Sequence, residues 1–285
     1  MNAPPSPSHL SSGQAARPPR PGPVRDVVAV VLVAVPLGLA LLGPLVAGAA
    51  PERTQPFLPD AGWLGSDFVG RDVWRQVLLG GWSIIATALC ATVLAYLVGA
   101  PIGLAAAMTR RRWVDEALLR PLDILLALPS LLLMLLLASI APPTAWTVVG
   151  IVALINLPDV ARIVRAGALE VARRTSVEAM WLQGESRVAI AVVFIGRAVL
   201  RTLAADAGVR VVGAFYLVAA ASFLGVGTGP DTSDWAVMVD VNRDGIFLTP
   251  WGVLVPAMLL VALSMGLNLL FDRLLSRRRH EEHTL

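Results

Sequence analysis

Long apolar runs separated by short polar segments dominate this chain. Six of them meet or approach the roughly 20 residues that a helix needs to cross a bilayer. They cover 27–48, 82–106, 124–141, 144–161, 198–225 and 251–271. The run at 144–161 is short and carries Pro158 and Asp159 near its end. The pattern predicts an all-α integral membrane protein with six transmembrane helices.

The segments outside these runs differ from them in composition. Residues 1–25 are rich in Pro, Ser, Gly and Arg, which predicts a disordered tail. The membrane domain is expected over 26–275, and residues 276–285 form a charged tail. The tripeptide at 47–49 resembles a signal-peptidase site, but the apolar run before it exceeds the roughly 7–15 residues of a signal peptide. We therefore expect the first run to be retained as a helix.

The arginines determine the expected orientation. All 23 basic residues are arginine, since the sequence contains no lysine. Sixteen of them lie in the tails, after the second run or after the fourth run, and four lie on the opposite side of the predicted membrane. Because cytoplasmic segments carry the excess of Lys and Arg, both termini are predicted to be cytoplasmic.

Composition narrows the class of function. Apolar residues make up 56% of the chain and charged residues 15%, whereas a soluble domain has about a quarter charged residues. Without lysine the chain can form neither a Walker A loop nor a Schiff base. His9, His280 and His283 lie in the tails and Cys90 has no intrachain partner, so we expect no catalytic site, metal site or cofactor in this chain. These features favour a transporter or membrane scaffold over an enzyme.

The segment 162–197 is too long for a simple connection between two spans, and it is helix-competent. The residues that suggest a docking helix are Ser176, Glu178, Ala179, Met180, Trp181 and Gly184. Ser176 is expected to cap a short helix, and the small residues Ala179 and Gly184 would let another surface approach the backbone. These residues support equally a docking element for a soluble partner and an ordinary helix lying on the bilayer.

The same segment resembles the EAA loop of ABC importer permeases, which reads Glu-Ala-Ala, three residues, Gly, nine residues and then Ile-x-Leu-Pro. The matching residues are Glu178, Ala179 and Gly184. The positions of Ile, Leu and Pro are occupied by Phe194, Gly196 and Arg197. Because the family's Pro breaks the helix where the loop returns to the membrane, we expect Gly196 to supply a weaker break and Arg197 to reach lipid headgroups.

The resemblance extends from about residue 27 to residue 275 and identifies the C-type permease subunit of dipeptide, oligopeptide and nickel importers. Further matching stretches are Leu64-Gly65-Ser66-Asp67, Gly70-Arg71-Asp72, Trp113-Val114-Asp115-Glu116, Asp123–Ser130, Ser222–Gly227, Trp235, Pro250-Trp251 and Asn268-Leu269-Leu270 before Asp272. The resemblance implies the type I ABC importer permease fold, with 162–197 as the coupling loop, in the bacterial cytoplasmic (inner) membrane.

The resemblance also implies partners. A second permease subunit, of the B type, would complete the translocation pathway as a heterodimer. Two cytoplasmic ABC ATPase subunits would bind ATP and Mg²⁺ and receive the loop around Glu178–Gly184, and an extracytoplasmic binding lipoprotein would deliver the solute. Membrane lipid surrounds such a subunit, and no nucleic acid is involved. The solute is left open among dipeptides, oligopeptides, nickel chelates and others.

Two charged residues lie inside the fifth run. Asp206 and Arg210 are four apart and share a helix face, at depths of roughly 12 and 18 Å from the start of the run. An ionisable group at such depth is a functional candidate. They are expected either to line the solute pathway or contact the second permease, or to form an internal ion pair.

Outside the membrane, a cluster of polar residues and glycines follows the first run. It comprises Gly65, Asp67, Gly70, Arg71 and Asp72. Its spacing does not match a calcium loop, so a structural or binding-protein-facing role is favoured over a metal site. The acidic loop 226–250 is expected either to be a solvated turn region or to face the binding protein or a cationic solute.

A different class of function is a stand-alone secondary transporter or channel. It would need its own ion-coupling or pore charges, and Asp159, Asp206 and Arg210 are the residues within the spans that could supply them. The EAA resemblance favours the ATP-driven importer.

Overall fold

The computed structural model describes residues 23–109, 111–186, 189–227, 229 and 231–282, with side chains over most of them. All regular elements in these ranges are helical. They are α1 (Pro23–Val46), α2 (Val73–Met108), α3 (Arg112–Ala127), α4 (Ser130–Ile140), α5 (Ala145–Ala172), α6 (Thr175–Leu182), a π-helical segment (Ile190–Ile195), α7 (Gly196–Phe223), α8 (Trp235–Asn242), a 3₁₀ turn (Arg243–Gly245) and α9 (Trp251–Glu282). The predicted all-α membrane fold is confirmed.

Five helices in the described ranges are long and apolar enough to cross a membrane, and a bent pair makes up to six. The bent pair is α3 and α4, whose axes differ by 98°. The sequence predicted one span over 124–141, and here the structure differs. Pro129 follows Leu128, which is extended at φ −98° and ψ 139°, because a residue before proline is disfavoured in the helical region.

Three other helices extend well beyond the predicted spans. α9 continues to Glu282, past the predicted end at 271. α2 begins at Val73, ahead of the apolar run at 82–106, because Asp72 caps it by accepting a hydrogen bond from the Trp74 N–H. α5 continues to Ala172, past the predicted end at 161. An apolar-run criterion locates the part of a helix in lipid and does not locate the turns that continue in water.

The α2–α5 pair lies at the centre of the bundle. Gly99 and Gly103 of α2 face α5, and a Cβ atom at Gly103 would collide with the carbonyl oxygen of Ala161. Glycines four residues apart let two membrane helices approach closely. This spacing is visible in the sequence, although its partner helix is not.

Two large clusters of buried apolar residues stack along this pair within the described ranges. The first joins α1, α2, α4, α5, α7, α8 and α9, and Trp235 is among its fully buried side chains. The second joins α2, α5, α6, the π-helical segment and α7. We call these two regions the α8 end and the α6 end of the molecule.

Candidate functional site

Helix α6 is short and sharply bounded. It begins at Thr175, three residues after α5 ends at Ala172. At its other end Gly184 has φ +82°, the Glu185 N–H donates to the Met180 carbonyl at 3.2 Å, and the Gln183 N–H donates to the Ala179 carbonyl at 3.0 Å. This is a Schellman termination, in which glycine supplies the left-handed residue. Nothing lies within 4 Å of a Cβ atom placed on Gly184, so within this chain the glycine serves backbone conformation and not close packing.

One face of α6 is seated on the protein and the other is exposed. Val177 is 1% exposed and belongs to the buried cluster of the α6 end. Glu178 and Ala179 are exposed, and so is Leu182, at 85%. The helix therefore presents a small surface of mixed charge and apolarity on a fixed base.

Two residues of the predicted docking set take other positions. Ser176 lies inside the helix, because α6 starts at Thr175, two residues earlier than a Ser176 cap requires. Met180 is partly buried against the cluster of the α6 end, since it follows Val177 by one helical turn. The backbone of Trp181 lies in α6, and its side chain is outside the described part of the structure.

The chain returns to the bundle through a π-helical segment. Ile190–Ile195 runs directly into α7, and the Gly196 N–H donates to the Ala191 carbonyl, five residues back. Gly196 is helical at φ −57° and ψ −46°, so the expected helix break at Gly196 is wrong. The irregularity lies before the glycine, and π-helical turns are frequent at functional sites. Arg197 is exposed, and its reach to lipid headgroups stays a prediction.

A charged network joins α2, α5 and α7. Arg210 of α7 donates from Nε to Asp206 at 3.2 Å and from a terminal nitrogen to Asp159 of α5 at 2.8 Å. Tyr96 of α2 donates its hydroxyl to the same Asp206 oxygen at 2.6 Å. The side chains of Asp206 and Arg210 are 14% and 18% exposed, whereas that of Asp159 is 42% exposed. The structure thus contains the Asp206–Arg210 pair that the spacing suggested and joins it to two other helices.

Further ion pairs tie α3 to the second half of α5. Arg165 binds both carboxylate oxygens of Asp115, at 2.8 and 2.5 Å. Arg162 donates to Asp123 at 2.6 Å. A two-point guanidinium–carboxylate contact also fixes relative orientation, so α3 is held against the part of α5 that leads to α6.

At the α8 end, the polar cluster after α1 is an internal clip. Asp67 is 2% exposed and accepts from the Val69 and Arg71 backbone N–H groups at 3.0 and 2.7 Å and from Arg71 Nε at 2.6 Å. Gly70 has φ +79°, and a Cβ atom there would collide with the Thr54 carbonyl. Gly65 has φ +81°. Of the two expected roles, the conformation of these residues supports the structural one, since both Asp67 oxygens accept hydrogen bonds from the chain itself. A role in facing the binding protein stays a prediction.

Helix α8 is anchored beside this clip. Trp235 donates from its indole nitrogen to the Val77 carbonyl at 2.8 Å, in space left by Gly80 and Gly81 of α2. The Phe68 N–H donates to Asn242 Oδ1 at 3.0 Å. The middle of the loop expected at 226–250 is therefore a helix packed against α9, α7 and α2.

Asp234 caps α8 from a buried position. Its carboxylate accepts from the Ala236 and Val237 N–H groups at 2.9 and 3.4 Å. Burial raises the pKa of Asp234 to about 6, although these N–H groups and the Ser83 side chain act in the opposite direction. Two other acidic residues of this loop, Asp231 and Asp244, are exposed.

Sequence reasoning missed two features of these sites. Tyr96 stands in an uncharged run, and its hydroxyl was the only signal that a polar partner faces it. Gly80 and Gly81 stand at the start of the same helix, and adjacent glycines in an apolar run can signal close approach of a large side chain.

Comparison with known proteins identifies the family. Residues 99–280 match the family model described as "Binding-protein-dependent transport system inner membrane component". A putative peptide permease protein of Brucella abortus biovar 1 is 32% identical over 222 residues, covering 74% of this chain and 70% of that protein. The probable D,D-dipeptide transport system permease protein DdpC of Escherichia coli K12 is 28% identical over 251 residues, covering 86% and 84%.

A solved structure shares the fold. One chain from the inward-facing MetNI methionine ABC transporter superimposes with a TM-score of 0.57 at 17% identity, covering 70% of this chain and 94% of that chain. The family model and the relatives confirm the resemblance found in the sequence. The exposed helix, the bundle and the family match together show that this multi-pass membrane protein belongs to the inner-membrane permease components of binding-protein-dependent ABC transport systems.

Proposed function

We propose that this chain is one of two permease subunits of an ATP-driven importer for dipeptides, oligopeptides or a related small solute, and that α6 couples it to a cytoplasmic ATPase. The observation that carries the coupling role is the pair of opposite faces of α6. Val177 fixes one face to the core, while Glu178, Ala179 and Leu182 leave the other free. An apolar side chain beside a carboxylate, on a helix that cannot swing away, suits docking into a groove of a soluble domain.

The seat of α6 also supports transmission of movement. The buried cluster under Val177 contains Val171 of α5 and Ile190 and Ile195 of the π-helical segment. Packed interiors transmit displacement because they resist compression. A partner that moves α6 therefore moves the α6-proximal ends of α5 and α7 with it. In this scheme the partner ATPases bind ATP and Mg²⁺. The permease contributes the translocation pathway and the helix α6 that transmits movement to it.

Peptide cargo is proposed from the relatives. The relatives described above are named as peptide and D,D-dipeptide permeases, and a third, from Brucella suis biovar 1, is a putative peptide transport system permease that is 32% identical over 256 residues. A binding protein outside the cell would present the solute to the α8 end, and a second, different permease would complete the pathway. Asp206 and Arg210 remain candidates for lining that pathway.

The docking surface is tested by reversing one charge. Glu178→Arg changes an exposed side chain on the free face of α6, so we expect it to reduce co-purification of the ATPase and uptake of radiolabelled dipeptides by about tenfold or more. The matched control is Glu185→Arg, the same change at an exposed residue just beyond α6. Uptake and ATPase recovery equal to wild type in Glu178→Arg, at equal permease levels in the membrane, would exclude α6 as the docking helix.

A further inference from the structure

The network of Tyr96, Asp159, Asp206 and Arg210 joins three helices within the membrane-spanning part. We propose that its Asp159–Arg210 ion pair is a latch between α5 and α7 that restrains ATP-driven movement, with Asp206 and Tyr96 as positioning residues. This inference rests on the proposed coupling through α6. It assigns to the network a control of coupling in addition to any contact with solute.

Asp206 and Tyr96 fix the orientation of the Arg210 guanidinium. Asp206 lies one helical turn before Arg210 and accepts from its Nε, while Tyr96 holds the same carboxylate oxygen from α2. With Nε engaged, a terminal nitrogen of Arg210 points across to Asp159. A guanidinium held at one edge has few remaining orientations, so the contact with α5 is built by residues on α2 and α7.

The exposed fractions of the three charged side chains allow this contact to open and close reversibly. Asp159 is 42% exposed, whereas Arg210 and Asp206 are 18% and 14% exposed. If α5 and α7 separate at this level, water can hydrate Asp159 while Arg210 keeps Asp206 as its counter-charge. Separation therefore leaves no buried charge unpaired, which is the condition that otherwise makes breaking a buried ion pair prohibitive. The same contact is strong when closed, because charges attract more in a medium of low dielectric constant.

The latch joins the two helices that α6 connects. α5 ends at Ala172, shortly before α6, and α7 follows α6 through the π-helical segment. The buried cluster under α6 includes Val199 and Leu203 of α7, and Leu203 lies within one turn of Asp206. A displacement of α6 is thus transmitted to α5 and to α7, the two helices that the Asp159–Arg210 contact joins.

The test measures ATP hydrolysis by the purified complex of full-length permeases and ATPases in lipid nanodiscs, without binding protein or solute. We expect Asp159→Asn to raise the hydrolysis rate per complex about fivefold, because the restraint is removed while Arg210 stays paired. The exchange Asp159→Arg with Arg210→Asp restores one positive charge between two carboxylates and is expected to return the rate to within about twofold of wild type. Tyr96→Phe, which frees Asp206, should raise the rate by a smaller factor.

Asp123→Asn is the matched control. It removes one carboxylate from another interhelical pair, that of Asp123 and Arg162 at 2.6 Å, where Asp123 is 50% exposed. An unchanged or lower rate in Asp159→Asn, an equal rise in Asp123→Asn, or failure of the exchange variant to restore the rate overturns the latch. Loss of assembled complex alone would leave the rate per complex unchanged and also counts against it. Failure of the proposed function is seen in a separate experiment, as ATPase binding to the Glu178→Arg variant that equals binding to the wild type.

Discussion

Individual carboxylates in this chain are used in two different ways. Asp67 and Asp234 are buried at the α8 end and accept backbone N–H groups, so each holds a local turn or helix start. Asp159 is half exposed and faces an arginine of another helix. A carboxylate that bonds its own backbone has one arrangement, whereas one that bonds a distant side chain can exchange it for water. Residue type alone does not separate these roles, and burial does.

Asp234 predicts a pH dependence of stability. Its pKa rises from 3.8 to about 6 on burial, so the folded protein binds the proton more tightly than the unfolded chain does. Stability from this group is then greatest below about pH 4 and falls as pH increases to about 6. At about 1.4 kcal/mol per pKa unit, the charged folded form carries a cost of about 3 kcal/mol.

The measurement compares wild type with Asp234→Asn, whose amide can still cap α8. We expect the variant's unfolding temperature in detergent to exceed that of wild type by several degrees at pH 7.5, roughly 2–4 °C per kcal/mol, and the difference to vanish near pH 4. Other acidic groups titrate in both proteins and cancel in the comparison. A difference that does not change with pH would show that burial does not raise the pKa of Asp234.

At the same scale, local spacing predicted one part of the charged network and could not predict the rest. Asp206 and Arg210 are four residues apart, so helix geometry alone brings them together. Asp159 is 51 residues from Arg210, and Tyr96 is 110 residues from Asp206. Their meeting depends on how α2, α5 and α7 pack, which no single apolar run encodes.

At the scale of elements, nearby residues in the sequence explain where helices begin or bend, but they do not explain every irregularity inside a helix. Pro129 explains the bend between α3 and α4, and Asp72 explains the start of α2. The π-helical segment before α7 has no comparable signal, since Ile190–Ile195 is a plain apolar sequence. Its side chains at Ile190 and Ile195 are buried in the α6-end cluster, and we infer that packing overrides the regular helical spacing there. Gly196, the residue expected to interrupt the helix, is regular.

Gly184 gives a prediction for α6 as an element. Because its φ is +82°, Gly184→Ala should destabilise the end of α6 by about 1 kcal/mol. Protection of the α6 amides against hydrogen exchange should then fall about fivefold. Gly150→Ala is the control, since Gly150 lies within α5 with nothing within 4 Å of its Cβ position, and alanine there should be neutral or slightly stabilising. Equal α6 protection in both variants would contradict the role of the left-handed residue.

For the whole molecule, the α2–α5 pair connects its two ends. Both buried clusters include residues of α2 and α5, so the clip at the α8 end and the seat of α6 share one pair of helices. In the proposed scheme, binding of a partner at either end would therefore act on the same helix contact. The apolar character of the membrane helices followed from the sequence, but this shared axis did not, because it arises from small residues whose partners are distant in the chain.

The closeness of this pair is tested at Gly103. A Cβ atom there meets the carbonyl oxygen of Ala161 and the side chain of Val164, and a backbone carbonyl cannot move aside as a flexible side chain can. Gly103→Ala should therefore lower the free energy of unfolding by about 1–3 kcal/mol. Since Val164 belongs to the cluster that seats α6, hydrogen exchange of α6 should also accelerate, although the substitution lies on another helix. Gly38→Ala in α1 has nothing within 4 Å of its Cβ position and should neither lower stability nor accelerate exchange of α6. If Gly103→Ala lowered stability while α6 exchanged as in wild type, the seat of α6 would be independent of the central pair, and movement of α6 could not be passed through it.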